Sequence, residues 1–230
     1  VWNIPLTVAP VLLELRNLAC ERDERFLFAQ LNASFYAGQV VQILGPNGSG
    51  KTTLLRILAG VSKDFYGNIL WQSQPLKDTA WEYANNLLYL GHLPGIKKSL
   101  TPLENLRWYA AVQGSVADED LIKALTQVQL AGYEDTPCYR LSAGQLRRVA
   151  LARLAFSRAK VWILDEPFTA LDKSGVAELE SRLIAHTAAG GLVLVTSHQD
   201  INIPNLQVLN LLDFPVDIGL LNSREDAAYG

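Results

Sequence analysis

The run GPNGSGKT, from Gly45 to Thr52, is built to hold a phosphate. Gly45, Gly48 and Gly50, with Pro46, Asn47 and Ser49 between them, let successive backbone N–H groups turn inward around an anion. The helix that must follow adds the positive end of its dipole. Lys51 is placed to reach β and γ phosphates, Thr52 to ligate Mg²⁺, and Thr53 to line the same helix start. The run VWILDE ends an apolar stretch on two carboxylates. Asp165 is placed to hold Mg²⁺ through its water shell and Glu166 to polarise an attacking water. An acidic strand end alone is an ordinary solvated turn, but beside a phosphate loop it reads as chemistry. A third run, LSAGQ, sets Ser142 three residues before Gln145, the spacing of a capping box. It marks a helix start whose free N–H groups, Gly144 among them, can face an anion.

These residues need elements to hold them. Short apolar runs from Val11 to Gly67 (LLEL, FLFAQL, ASF, VVQIL and NILWQ) predict an antiparallel layer leading into a core strand, Val40 to Leu44. Leu54, Leu55, Ile57 and Leu58 recur at helical spacing and stop at Gly60, so the phosphate loop joins a strand to a helix. From about Ser99 to Ser157 the chain reads as helices: PLENLRWYAAV, DEDLIKALTQVQLA and AGQLRRVALARLAF. Val161 to Leu164 and Leu192 to Thr196 predict buried parallel strands separated by a helix over Ser174 to Ala188. After His198 the pattern is weak. Val1 to Pro10 reads as an extension ahead of one domain spanning 11–230.

Composition narrows the function. With 230 residues and 49% hydrophobic content there is enough chain for one α/β core. The apolar runs are four to six residues, far short of a bilayer span. Twenty basic against 23 acidic residues give a net charge of −3, which offers no long-range field for nucleic acid. Cys20 and Cys138 stand apart without CxxC spacing, which argues against a disulfide framework or a zinc site and for a reducing, cytoplasmic compartment.

LSAGQ, standing just before the VWILDE strand, resembles the signature motif of ABC nucleotide-binding domains. The order continues as in that family: ALD, Ala170 to Asp172, resembles the D-loop, and His198 in TSHQD resembles the switch histidine. The likeness covers roughly Leu12 to Ile201. It implies a P-loop NTPase of the ABC ATPase fold, with a RecA-like core, an antiparallel β-subdomain and a helical signature subdomain at about 99–157. It also implies ATP with Mg²⁺ as ligands, and a head-to-tail homodimer in which Ser142, Gly144, Gln145 and Asp172 of one copy complete the site of the other. In that reading Lys51, Glu166 and His198 are the catalytic groups. The sequence departs from the family at two places. His92, in GHLPG, stands where the Q-loop glutamine is usual; it can accept and donate hydrogen bonds near Mg²⁺, and histidine titrates near neutrality. Arg22 falls where an aromatic residue usually stacks on adenine, and a guanidinium can stack on flat rings too.

CERDERFLF, GHLPGIKKSLTPLENL and LDEPFTALDKSGV together resemble the ATPase subunits of bacterial cytochrome c maturation. That resemblance implies integral membrane partners of the CcmB and CcmC type, a peripheral place on the cytoplasmic face of the inner membrane, and ATP hydrolysis linked to haem export and release of a haem-loaded chaperone. Haem itself is not expected on this chain, which has no CxxCH, has roles for His92 and His198, and carries His186 on a helix read as exposed. Fold and ATP site do not fix cargo, so another small ABC exporter remains the alternative. A soluble ABC ATPase acting on ribosomes or DNA would need two cassettes or a long coiled coil, and a non-hydrolysing cassette would lack Glu166 or His198.

Overall fold

The computed structural model describes residues 9–214 except Glu24 and Ser115. Most of the expected N-terminal extension, residues 1–8, lies outside them, as do residues 215–230. Alternating apolar side chains make a long hairpin of β1 (Val11–Arg22) and β2 (Arg25–Tyr36), paired from Val11 with Tyr36 to Arg22 with Arg25. FLFAQL and ASF are therefore one strand, irregular in register and with Gln30 of the first run at φ 53°. β3 (Val40–Leu44) runs into α1 (Lys51–Leu58), which stops where Gly60 takes φ 70°. Then follow β4 (Tyr66–Trp71), β5 (Gln74–Pro75), α2 (Ala80–Asn85) and β6 (Leu87–Leu90). Three helices come next: α3 (Pro102–Gln113), α4 (Asp118–Gln127) and α5 (Ala143–Ala152). The chain continues through β7 (Val161–Asp165), α6 (Lys173–Ala188), β8 (Leu192–Thr196) and β9 (Gln207–Asn210).

The strands form two sheets, ordered β2-β1-β4-β5 and β6-β7-β8-β3-β9. The first is antiparallel throughout and the second parallel throughout. β7 and β8 are buried along their whole length, as unbroken apolar runs in a parallel sheet must be. Leu54, Leu55, Ile57 and Leu58 of α1 join Ile43, Ile163 and Leu194 in one core with the inner face of the hairpin. Helices α3, α4 and α5 close on a separate cluster that includes Leu106, Leu125 and Val149.

Because all five strands of the second sheet run the same way, their carboxyl ends share one edge, where open α/β sheets bind ligands. That edge carries the phosphate loop after β3, Gly91 and His92 after β6, Glu166 after β7, and Ser197 and His198 after β8.

Three elements differ from the sequence reading. α2 has six residues and buries only Tyr83, too little for a periodic signal. β9 is a short, half-exposed edge strand in the weakly patterned tail. His186 is not exposed: its ring stacks on Trp162 at 3.7 Å between centroids and 7° between planes, and burial lowers its pKa. The helix showed its place in sequence, while the strand residue beneath it is a non-local contact.

Candidate functional site

The phosphate loop depends on glycine where its backbone is left-handed. Gly48 takes φ 81° and Gly50 φ 96°, and a Cβ on Gly50 would stand 3.0 Å from the side chain of Leu27. Lys51 donates its ammonium to the carbonyls of Gly45 at 2.7 Å and Pro46 at 3.1 Å, so its charge is held directly over the loop. Ser49 closes the turn through its N–H to Pro46.

Across the cleft Asp165 is buried, 1% exposed. Its Oδ1 accepts from the hydroxyls of Thr196 at 2.8 Å and Thr52 at 3.3 Å. Its Oδ2 is buried without a hydrogen-bond partner among the described residues. A buried carboxylate oxygen beside a threonine hydroxyl suits a hard cation, and Mg²⁺ characteristically takes few protein ligands and fills its shell with phosphate and water. The residues present therefore fit Mg²⁺.

Glu166 stands in the left-handed region at φ 51°, a conformation costing a non-glycine residue about 1–3 kcal/mol. Several contacts fix it there. Its N–H donates to Thr196 Oγ1 at 2.9 Å, and its Oε2 accepts from the His198 N–H at 3.2 Å. His198 Nε2 lies 3.6 Å from Oε1. The carboxylate thus points to the cleft beside an exposed imidazole, placed to take a proton from a water.

A cleft of about 540 Å³ brings together Asn47, Gly48, Gly50, Lys51, Thr52 and Thr53 of the loop region with Asp165, Glu166, His198, His92 and Arg22. Gly45, Pro46 and Ser49 form the loop behind it. Arg22 reaches the rim from the end of β1, largely exposed and 3.8 Å from Asp23.

Ser142, Gly144, Gln145 and Asp172 do not line this cleft. Ser142 caps α5 by accepting from Gln145 N–H at 3.2 Å, and Gln145 Oε1 accepts from Ser142 N–H at 2.9 Å. Between them the N–H groups of Ala143 and Gly144 have no acceptor among the described residues. Asp172 caps α6, accepting from the N–H of Gly175 at 2.9 Å. That bond chiefly holds its carboxyl below the usual range, and Arg148 pairs with it at 3.1 Å.

The sequence profile of the ABC transporter family matches residues 28–169. The chain belongs to the ABC transporter family. It is similar to the cytochrome c biogenesis ATP-binding export protein CcmA of Saccharophagus degradans, 52% identical over 94% of this chain and 99% of that one. CcmA of Escherichia coli K12 is 53% identical over 86% of this chain and 94% of its own. Among solved structures, the ATP-binding cassette MJ0796, described as dimeric and bound to ADP and Pi, superposes with a TM-score of 0.74 at 23% identity. It covers 86% of this chain and 93% of that one. The cbiO1 protein of Clostridium perfringens, part of the ABC transporter complex cbiONQ, gives 0.65 at 27% identity, covering 84% and 80%. The chain is therefore an ATP-binding ABC ATPase with the fold expected of that family.

Sequence reasoning missed Thr196 and Arg147. Thr196 opens the TSHQD run, and its hydroxyl joins Asp165 to the Glu166 backbone. Arg147 is buried, 6% exposed, and donates to the carbonyls of Gly91, Asp165 and Glu166. Nothing local separates it from the adjacent Arg148.

Proposed function

We propose that this ABC ATPase works as a head-to-tail homodimer, the ATP-hydrolysing subunit of a cytochrome c biogenesis exporter. The observation that carries the dimer is the division of the site. The phosphate loop, Asp165, Glu166 and His198 line one cleft, while the capped α5 start, with two unpartnered N–H groups, lies outside it. A second copy would bring its Ser142, Gly144 and Gln145 to the γ phosphate held by the first, with Asp172 at the same junction. Lys51 binds β and γ phosphates. Thr52 and Asp165, with His92 nearby, would hold Mg²⁺, and the ion would supply positive charge against that developing on the phosphates. Glu166 orients the attacking water and takes its proton, His198 steadies the carboxylate and the γ phosphate, and Arg22 lies along the base. The γ phosphate joins the two copies and its loss lets them part.

The pathway reading rests on 52–53% identity to CcmA proteins over nearly their whole length. It carries integral membrane partners of the CcmB and CcmC type and a peripheral place on the cytoplasmic face of the inner membrane. Among the described residues no helix is long and apolar enough to cross a membrane. We also take residues 11–230 as one domain whose helical arm spans about 99–157 and presents the α5 start to the other copy.

Glu166→Gln tests the assignment of the base. It keeps the shape of the side chain and removes its proton affinity. Nucleotide affinity should stay within about twofold while hydrolysis falls about a hundredfold, the usual size of a general-base effect. Lost binding with an unchanged turnover would move Glu166 out of catalysis.

A further inference from the structure

One guanidinium sits where three parts of the site meet. Arg147 lies five residues beyond the Ser142 cap of α5, and its side chain runs inward while that of Arg148 turns to Asp172. Nη1 donates to the carbonyl of Gly91, the residue before His92, at 2.9 Å. Nη2 donates to two consecutive carbonyls, Asp165 at 2.6 Å and Glu166 at 2.7 Å. Consecutive carbonyls in an extended strand point to opposite sides. Here both turn to one nitrogen, because Glu166 has left the strand for the left-handed region. Two carbonyl dipoles aimed at one point repel each other, and a guanidinium offsets that repulsion while its other nitrogen reaches Gly91; a neutral side chain lacks the charge, and a single ammonium supplies it without the second nitrogen.

The same guanidinium is short of solvent, and burial lowers its pKa against the opposing pull of Asp165 and Glu166. Burying a guanidinium is costly, and its three bonds to backbone carbonyls offset that cost while holding those carbonyls in place. What it holds is the backbone on which the Glu166 carboxylate is mounted.

We infer that Arg147 is a positioning residue for hydrolysis: it fixes the left-handed backbone of Glu166 and ties it to the His92 loop and to the helix that begins at Ser142. This rests on Glu166 being the base. Because α5 is one rigid helix from its cap through Arg147, a contact made at Ser142, Gly144 or Gln145 is delivered directly to the carbonyls of Asp165 and Glu166. Arg147 is buried and does not line the cleft, so it acts through the carboxylate it orients.

The test compares Arg147→Gln, Arg147→Lys, Glu166→Gln and the Arg147→Gln/Glu166→Gln double variant in the full chain. It measures kcat and KM for MgATP and the Kd of a fluorescent ATP analogue. Arg147→Gln should lower kcat about thirtyfold, with KM and Kd within about twofold of wild type. Arg147→Lys, which keeps the charge on one nitrogen, should recover part of the loss, to about fivefold below wild type. In the Glu166→Gln background the Arg147→Gln change should cost less than about twofold more, since both act through one group. If Arg147→Gln cuts kcat as deeply when Glu166 is already absent, or if Kd weakens in step with kcat, the inference is overturned. Wild-type kcat in both single variants at Arg147 overturns it as well. Wild-type hydrolysis by Glu166→Gln alone would instead refute the assignment of the base, a separate result. Should Arg147→Gln fail to fold, Arg147→Lys with and without Glu166→Gln carries the same comparison.

Discussion

Helices α3 and α5 begin with the same device and offer different things at their N-termini. Thr101 with Glu104 caps α3, and Ser142 with Gln145 caps α5, each pair exchanging side-chain and backbone hydrogen bonds. In α3 every early donor is spent: Pro102 has none, Leu103 N–H reaches the carbonyl of Glu134, and Glu104 N–H reaches Thr101. Its Glu104 also sets a full negative charge on the positive end of the helix dipole. In α5 the partner is the neutral Gln145, position two is Gly144, and the N–H groups of Ala143 and Gly144 stay free among the described residues. A capping box thus stabilises a helix in both cases. It leaves donors free for an anion only where the reciprocal side chain is uncharged and no proline or neighbouring carbonyl takes them.

Ser142→Arg should have the largest effect on this contrast. Bulk at the cap would block approach of a phosphate from another copy, and ATP turnover should fall about a hundredfold while nucleotide affinity in the cleft stays within about threefold. A steady-state assay beside a binding titration separates the two. Gln145→Glu makes α5 electrostatically like α3. It keeps the cap but sets a carboxylate against the incoming γ phosphate, and turnover should drop about tenfold with little change in thermal midpoint. The reverse swap, Glu104→Gln, should leave turnover within about twofold. Comparable losses from both swaps would break the distinction between the two helices.

The smallest effects are on stability. Thr101→Ala and Ser142→Ala each remove one cap and should cost about 1 kcal/mol, a few degrees in thermal midpoint. Only Ser142→Ala should also slow hydrolysis. A thermal melt paired with a turnover assay on each variant checks this.

Much of this was legible in the residues. The phosphate loop announced itself because glycine spacing, an apolar run before it and helical spacing after it agree. Asp165 and Glu166 were legible because an apolar run ending on two carboxylates shares the chain with a phosphate loop. The parallel order of β7, β8 and β3 was not written in any one run, yet it is what gathers Glu166 and His198 to one edge. Arg147 was illegible for a local reason: QLRR offers two adjacent arginines, and only the packing of α5 decides that one turns inward while the other pairs with Asp172. His186 was misread for the same kind of reason, since the Trp162 beneath it lies on β7, far away in sequence.

The central claim is that each chain holds half of the ATP site and lends the α5 start to the other half. Its most direct test is the mass of the Glu166→Gln chain in solution, by light scattering behind a sizing column, with and without MgATP. The account predicts a monomer without nucleotide and a dimer with MgATP, and a monomer under both conditions once Ser142→Arg is added. A MgATP-dependent dimer that persists with Ser142→Arg, or a Glu166→Gln chain that binds MgATP and stays monomeric, would contradict it.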